Sequence, residues 1–102
     1  MTEELTVSEF NDRVNSVVVN SGQLRDVSVV GEISGAKRST AGHIYFDLKD
    51  GNSLIHCTLF RFAASRIRIE IKDGMKVVAF GSASYYAKGG SFGFNIESLT
   101  PY

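Results

Sequence analysis

The sequence is short of the residues on which most chemistry depends. It has one cysteine, two histidines, no net charge and no long apolar run in 102 residues. A lone cysteine, Cys57, cannot close an internal disulfide, which points to a reducing compartment, the cytoplasm. His43, His56 and Cys57 are the only nitrogen and sulfur ligand types. His56 and Cys57 are neighbours and face opposite sides of any strand, so no zinc site is expected. Asp47, Asp50 and Asp73 have no spacing that defines a metal cluster. No phosphate-binding glycine fingerprint occurs, and no cofactor is expected. No run approaches the roughly 18 apolar residues of a membrane helix. The acidic start, Met1-Thr2-Glu3-Glu4, lacks the basic and apolar parts of a signal peptide. The chain is too small and too poor in catalytic groups to be expected to act as an enzyme by itself.

What is present is enough for one core. At this length one domain is expected over residues 1–102, and 43% hydrophobic residues exclude a disordered chain. The zero net charge hides a polarity. Residues 1–34 hold six acids and two bases, a net of −4; residues 35–102 hold nine bases and five acids, a net of +4. A basic half can meet phosphates while the acidic half faces elsewhere, although a mixed surface without a partner would give the same counts.

The chain opens on a helix, about residues 6–20. Thr6 and Glu9 form a capping box, and Leu5 and Phe10 stand at the positions of a hydrophobic staple. Val7, Phe10, Val14, Val17 and Val18 follow at helical spacing, so this face should lie on the rest of the domain. Asn20-Ser21-Gly22 ends it, with Gly22 as the expected left-handed terminator. The rest, about 25–100, reads mostly as strand. Asp26–Ser34 is rich in Val and Ile, and Gly31 suggests a bulge or bend. A polar loop covers 35–42. Residues 43–49 and 53–60 alternate, with Ile44, Phe46, Leu48, Ile55, Cys57 and Leu59 on one side. Residues 61–66 suit a short helical turn, and 67–72 could be extended or helical. Met75–Tyr85 is a long strand with a bend at Gly81, Lys88-Gly89-Gly90 a turn, and Ser91–Ile96 a last strand.

Register between 43–49 and 53–60 is constrained, because a slip of one residue inverts a strand. A two-residue Asp50-Gly51 turn has the commoner chemistry. A four-residue loop, 50–53, instead opposes Phe46 with Cys57, Leu48 with Ile55 and Ile44 with Leu59, and is preferred for these three apolar pairs. In both, His43, Tyr45, His56 and Thr58 share the outer face. Five strands with a helical segment between the third and fourth match a small closed barrel, which leaves no sheet edge to protect.

Particular residues narrow the reading. The stretches LTVSEFNDRVNSVV, VVGEISGAKRSTAGHIYFDLKD, CTLFR and IKDGMKVVAFGSASYY occur in that order across nearly the whole chain. In them the sequence resembles the N-terminal OB-fold domain of the large subunit of bacterial exodeoxyribonuclease VII. The resemblance implies a mainly β, five-stranded OB-fold Greek-key barrel with an added N-terminal helix, holding single-stranded DNA. That family's enzyme continues into a catalytic domain and a coiled-coil region that binds small subunits, neither of which is in this sequence. The chain is then either a piece of such a subunit or a free-standing relative, and nuclease activity does not carry over to it.

On an OB fold, two rims take ligands. Lys37, Arg38, Ser39 and Thr40, between strands one and two, offer bases to phosphates and hydroxyls for hydrogen bonds, unless they are simply a solvated loop. Tyr45 is the main stacking candidate, with His43, His56 and Thr58 on its face. Phe60 either joins that face or packs beneath Phe62 and the helical segment, and packing is preferred; Phe10, Phe46, Phe80, Phe92 and Phe94 are expected in the core. Tyr85, Tyr86 and Lys88 mark the other rim, where Gly89-Gly90 would let the loop close over a strand. The partner expected is single-stranded DNA, with a monomer in isolation, no membrane, and a larger nuclease complex as a further association. An RNA or tRNA binder and a protein-interaction barrel are the alternatives.

Overall fold

A computed structural model describes residues 2–102. Helix α1, Val7–Asn20, begins with the capping box: the Glu9 N–H donates to Thr6 Oγ1 at 3.1 Å and the Thr6 N–H to Glu9 Oε1 at 2.9 Å. The helix ends at Ser21 in extended backbone, and Gly22 opens a short 3-10 turn rather than adopting the left-handed conformation expected of it. Its docked face is narrower than the apolar stripe. Val18 is buried and Val14 half-buried, while Val7, Phe10 and Val17 are exposed. Phe10 is therefore not a core residue. Asn11 supplies the polar grip: its Nδ2 donates to the Ala87 carbonyl at 3.0 Å, and its Oδ1 accepts from the Tyr85 hydroxyl at 3.2 Å.

Five strands follow: β1 Val27–Arg38, β2 Ile44–Lys49, β3 Leu54–Leu59, β4 Lys76–Tyr86 and β5 Ser91–Pro101. They close into a barrel in the order β1-β2-β3-β5-β4, with β4 returning to β1. A short helix, α2 Arg61–Ala64, joins β3 to the segment before β4. All ladders are antiparallel except β3 with β5, which meet in parallel over Cys57–Phe94 and Thr58–Asn95. Ile33, Leu59 and Val77 are fully buried at the centre, joined by Ile44, Phe46, Leu48, Cys57, Phe94, Ile96 and Leu99. Burial pushes the Cys57 thiol up to about 12; a backbone hydrogen bond from Leu48 opposes this, and the nearby Asp47 charge adds to it.

The β2–β3 register is the one with three apolar pairs: Phe46 faces Cys57, Leu48 faces Ile55 and Ile44 faces Leu59. Asp50 closes the four-residue loop. Its N–H donates to the Ser53 carbonyl at 3.0 Å, and its carboxylate accepts from the N–H groups of Asn52 and Ser53.

Strand β1 runs further than the sequence suggests. It pairs with β4 from Val27 to Glu32 and with β2 from Glu32 to Arg38, so one strand serves both halves of the barrel. Lys37 and Arg38 are thus on a strand, not in a loop. The bulge lies between Ser34 and Lys37 rather than at Gly31. Gly31 instead marks a close approach, since a Cβ there would stand 3.3 Å from Leu48 Cβ and from the Lys49 carbonyl oxygen. At the bulge Gly35 has a φ of 69°, which glycine adopts freely. The N–H groups of Gly35 and Ala36 both donate to the Asp73 carboxylate at 3.0 Å. These bonds hold the Asp73 carboxyl below the ordinary carboxylate range, with a smaller contribution from Lys49.

Gly81 is the bend of β4: the β4–β5 register shifts between Phe80 and Gly81. Residues 67–71 are neither helix nor ladder, yet Ile67, Ile69 and Ile71 still pack against the core. Strand β5 continues to Pro101, well past the expected end at Ile96.

Candidate nucleic-acid interface

The β2–β3 hairpin and the β4–β5 hairpin rise on either side of the short β3–β5 ladder. Between them lies an open groove. Tyr45, His56, Thr58 and Phe60 line one side; Ser84, Tyr85, Tyr86, Ser91, Phe92, Gly93 and Asn95 line the other. The pairing places Tyr45 opposite Thr58 and Thr58 opposite Asn95, so the floor is a continuous polar row between aromatic walls. Asn95 accepts weakly from Ser84 Oγ at 3.4 Å. Tyr85 meets Phe92 edge-to-face, with ring centroids 5.4 Å apart. Its hydroxyl is the one held by Asn11, so helix α1 steadies this wall from behind.

The aromatics are open to solvent. Phe60 is 49% and Phe92 60% exposed. This corrects two expectations. Phe60 does not pack beneath Phe62; it stands edge-on to His43, centroids 5.4 Å apart, at the end of the groove. Phe92 is not in the core, although Phe46 and Phe94 are. It precedes the part of β5 that enters the barrel and pairs with Tyr85 in the projecting hairpin. Phe80 is half-buried.

Of the residues singled out from sequence, the groove brings together Tyr45, His56, Thr58 and Tyr86, with Tyr85 beside them. His43 borders it through its contacts with Phe60 and Tyr45. Lys37 is the ladder partner of Tyr45 on the adjoining strand and shares its face, whereas Arg38 is opposite the buried Ile44 and lines a separate concavity with Arg61. Ser39 builds the β1–β2 turn: its Oγ accepts from the His43 N–H at 3.0 Å, and its N–H donates to the His43 carbonyl at 2.8 Å. Thr40 is exposed at the tip of that turn, and Lys88 is exposed in the β4–β5 turn; neither lines the groove.

Sequence reasoning missed Phe92, Ser84 and Asn95, and left Phe60 as the less favoured of two placements. Alternation puts Phe60 on the face of His56 and Thr58, and that is the placement the structure has. Asn95 needed the β3–β5 pairing, which no local pattern carries.

No carboxylate lines the groove. Asp47, the nearest on the β2 face, accepts from His56 Nδ1 at 2.6 Å, which leaves Nε2 as that ring's remaining polar atom. Among the described residues no group of three or more His, Cys, Asp or Glu is placed to hold a metal. Among the described residues no helix is long and apolar enough to cross a membrane.

An exposed aromatic trough on a closed five-stranded barrel, with bases beside it and no acid within it, has the form of an OB-fold ligand face. The chain belongs to the family described as the OB-fold nucleic acid binding domain, which it matches over residues 5–100. Within curated proteins it is 46% identical over 88 residues to the exodeoxyribonuclease 7 large subunit of Clostridium botulinum (strain Eklund 17B / Type B), covering 86% of this chain and 22% of that protein. It is 38% identical over 101 residues to the large subunit of Ruminiclostridium cellulolyticum, covering 99% of this chain and 25% of that one. The chain thus spans about a quarter of the length of these relatives. The barrel also superposes on a chain of a replication protein A heterotrimer bound to ssDNA, with a TM-score of 0.63 at 15% identity over 78% of this chain and 58% of that one. At that identity the likeness is one of fold.

Proposed function

We propose that the chain is a single-stranded DNA-binding module, acting as one domain over its 102 residues in the cytoplasm. Its likeness to the exodeoxyribonuclease 7 large subunit supports a place in a larger nuclease, in which it holds substrate rather than cuts it. The observation that carries the reading is the groove itself: exposed rings on both walls, a polar floor, no acid in the lining, and Lys37 and Arg38 on the adjoining strand. Bases stack on the rings whatever their identity, while phosphates stay outside near the cations. A duplex keeps its π-faces stacked internally and has nothing to offer the walls.

The test separates rings from charges. For single strands the logarithmic salt slope is about −0.7 per phosphate neutralised, so three or four contacts give about −2 to −3. Tyr45→Ala should cost about 1–3 kcal/mol of binding with the slope nearly unchanged. Lys37→Ala with Arg38→Ala should weaken binding to every sequence and flatten the slope by up to about 0.7 per lost contact. Titration of labelled DNA and RNA oligonucleotides, with duplex as a control, measures this. Two folded variants that bind as the parent does would remove this face from the site, and equal affinity for duplex would contradict the reading.

A further inference from the structure

The groove ends at Phe60, but the ligand-facing surface does not. Beyond the His43–Phe60 contact, a second concavity opens between the end of β1 and helix α2. It is lined by Arg38, Gly42, Arg61, Phe62 and Ser65 among others, and by no acid. Neither arginine takes part in any ion pair among the described residues, although acids are available elsewhere to Arg13, Lys49 and Lys72. The Arg61 guanidinium lies over the Phe62 ring at 5.1 Å from its centroid, and that ring is 72% exposed. The backbone N–H of Arg61 donates to His43 Nδ1 at 3.0 Å. This bond fixes α2 against the aromatic wall and joins the two concavities through one imidazole.

The two spaces have complementary character. The groove holds rings and almost no charge; the cleft beyond it holds two unpaired guanidiniums and one exposed ring. An arginine fork matches the paired oxygens of a phosphodiester, and its plane, already over Phe62, can also carry a base. We infer that Arg38 and Arg61 form a phosphate-binding cleft that takes the sugar-phosphate backbone of the single strand as it leaves the groove past Phe60, with Phe62 as a shelf for the next base. The inference rests on the nucleic-acid reading of the groove, and it extends the site to α2.

Oligonucleotide length distinguishes the two. Fluorescein-labelled oligodeoxythymidylates of graded length, followed by anisotropy against the full chain, first fill the groove and then reach the cleft. In Arg61→Ala the shortest binding oligonucleotide should keep the parent's affinity. Longer ones should lose about tenfold, as expected for one charge-assisted contact. Their salt slope should flatten by about 0.7. Phe62→Ala should weaken the longer oligonucleotides without changing the slope. Both side chains are exposed, so an unchanged thermal midpoint is the control for folding. If Arg61→Ala binds every length with the parent's affinity and slope while Tyr45→Ala still weakens all of them, the cleft is overturned and the groove stands. If the parent binds no length, both fall together.

Discussion

Two side chains show how local surroundings set chemistry here. Cys57 is nearly inaccessible, and its thiol is pushed up to about 12 by burial. A thiol in that state has almost no thiolate at neutral pH. Cys57 should therefore resist iodoacetamide in the folded chain and react promptly once denaturant unfolds it; equal rates in both states would contradict its placement. Asp73 behaves in the opposite sense. Its carboxylate receives the Ala36 and Gly35 N–H groups, which lower its folded value relative to the unfolded chain. A group lowered on folding contributes stability above its unfolded value, about 3.9, and loses it as pH falls through the folded one. The parent should thus lose stability on acidification through that window. Asp73→Asn should be less stable at neutral pH and should have a flatter acid limb. Urea midpoints over a pH series measure both, and parallel curves would contradict the clamp on the β1 bulge. The burial of Cys57 was legible in the alternation of residues 53–60, but the Asp73 clamp was not. Asp73 and Gly35 lie far apart in sequence, and only barrel closure makes them partners.

At the scale of elements, the chain was most legible where burial and alternation agreed. The β2–β3 hairpin declared its register because three apolar pairs outweighed a favourable two-residue turn. The helix declared its start through Thr6 and Glu9. Its docking face was harder to read: Val7, Phe10 and Val17 share the stripe with Val18, yet the contact with β4 is narrow and is completed by a polar residue, Asn11. Strand β1 was cut short because Gly35 and the basic residues after it look like loop, and only pairing with β2 reveals them as strand. Phe92 misled for a related reason. Its parity matches Phe94 and Ile96, but it lies where the hairpin has already left the barrel. Gly81 was read correctly as a bend, and the structure supplies the force of the requirement: a Cβ there would stand 2.0 Å from the Asn95 carbonyl oxygen. That neighbour is backbone and cannot move without breaking the β4–β5 ladder. Gly81→Ala should destabilise the fold by about 2 kcal/mol or more. An unshifted urea midpoint would show that the crossing is looser than this.

For the molecule as a whole, the closed barrel is a ring of unequal joints. Long antiparallel ladders tie β4 to β5 and β1 to both its neighbours, whereas β3 and β5 meet over only two residue pairs. That short parallel joint also unites segments distant in the chain, the kind of contact formed late and released early. It lies beneath the groove, since Thr58 and Asn95 belong both to the joint and to the floor. A strand resting on Tyr45 on one wall and on Tyr85 and Phe92 on the other would therefore act as a clasp across the gap. Ligand at about a hundredfold its Kd adds about 2.7 kcal/mol against any opening that abolishes the site. Hydrogen exchange with saturating oligonucleotide should show the added protection first at the amides of Cys57, Thr58 and Asn95. Protection confined to β1 would contradict the clasp. Holding substrate and holding the barrel shut would then be one event: the ring is sealed by what it carries.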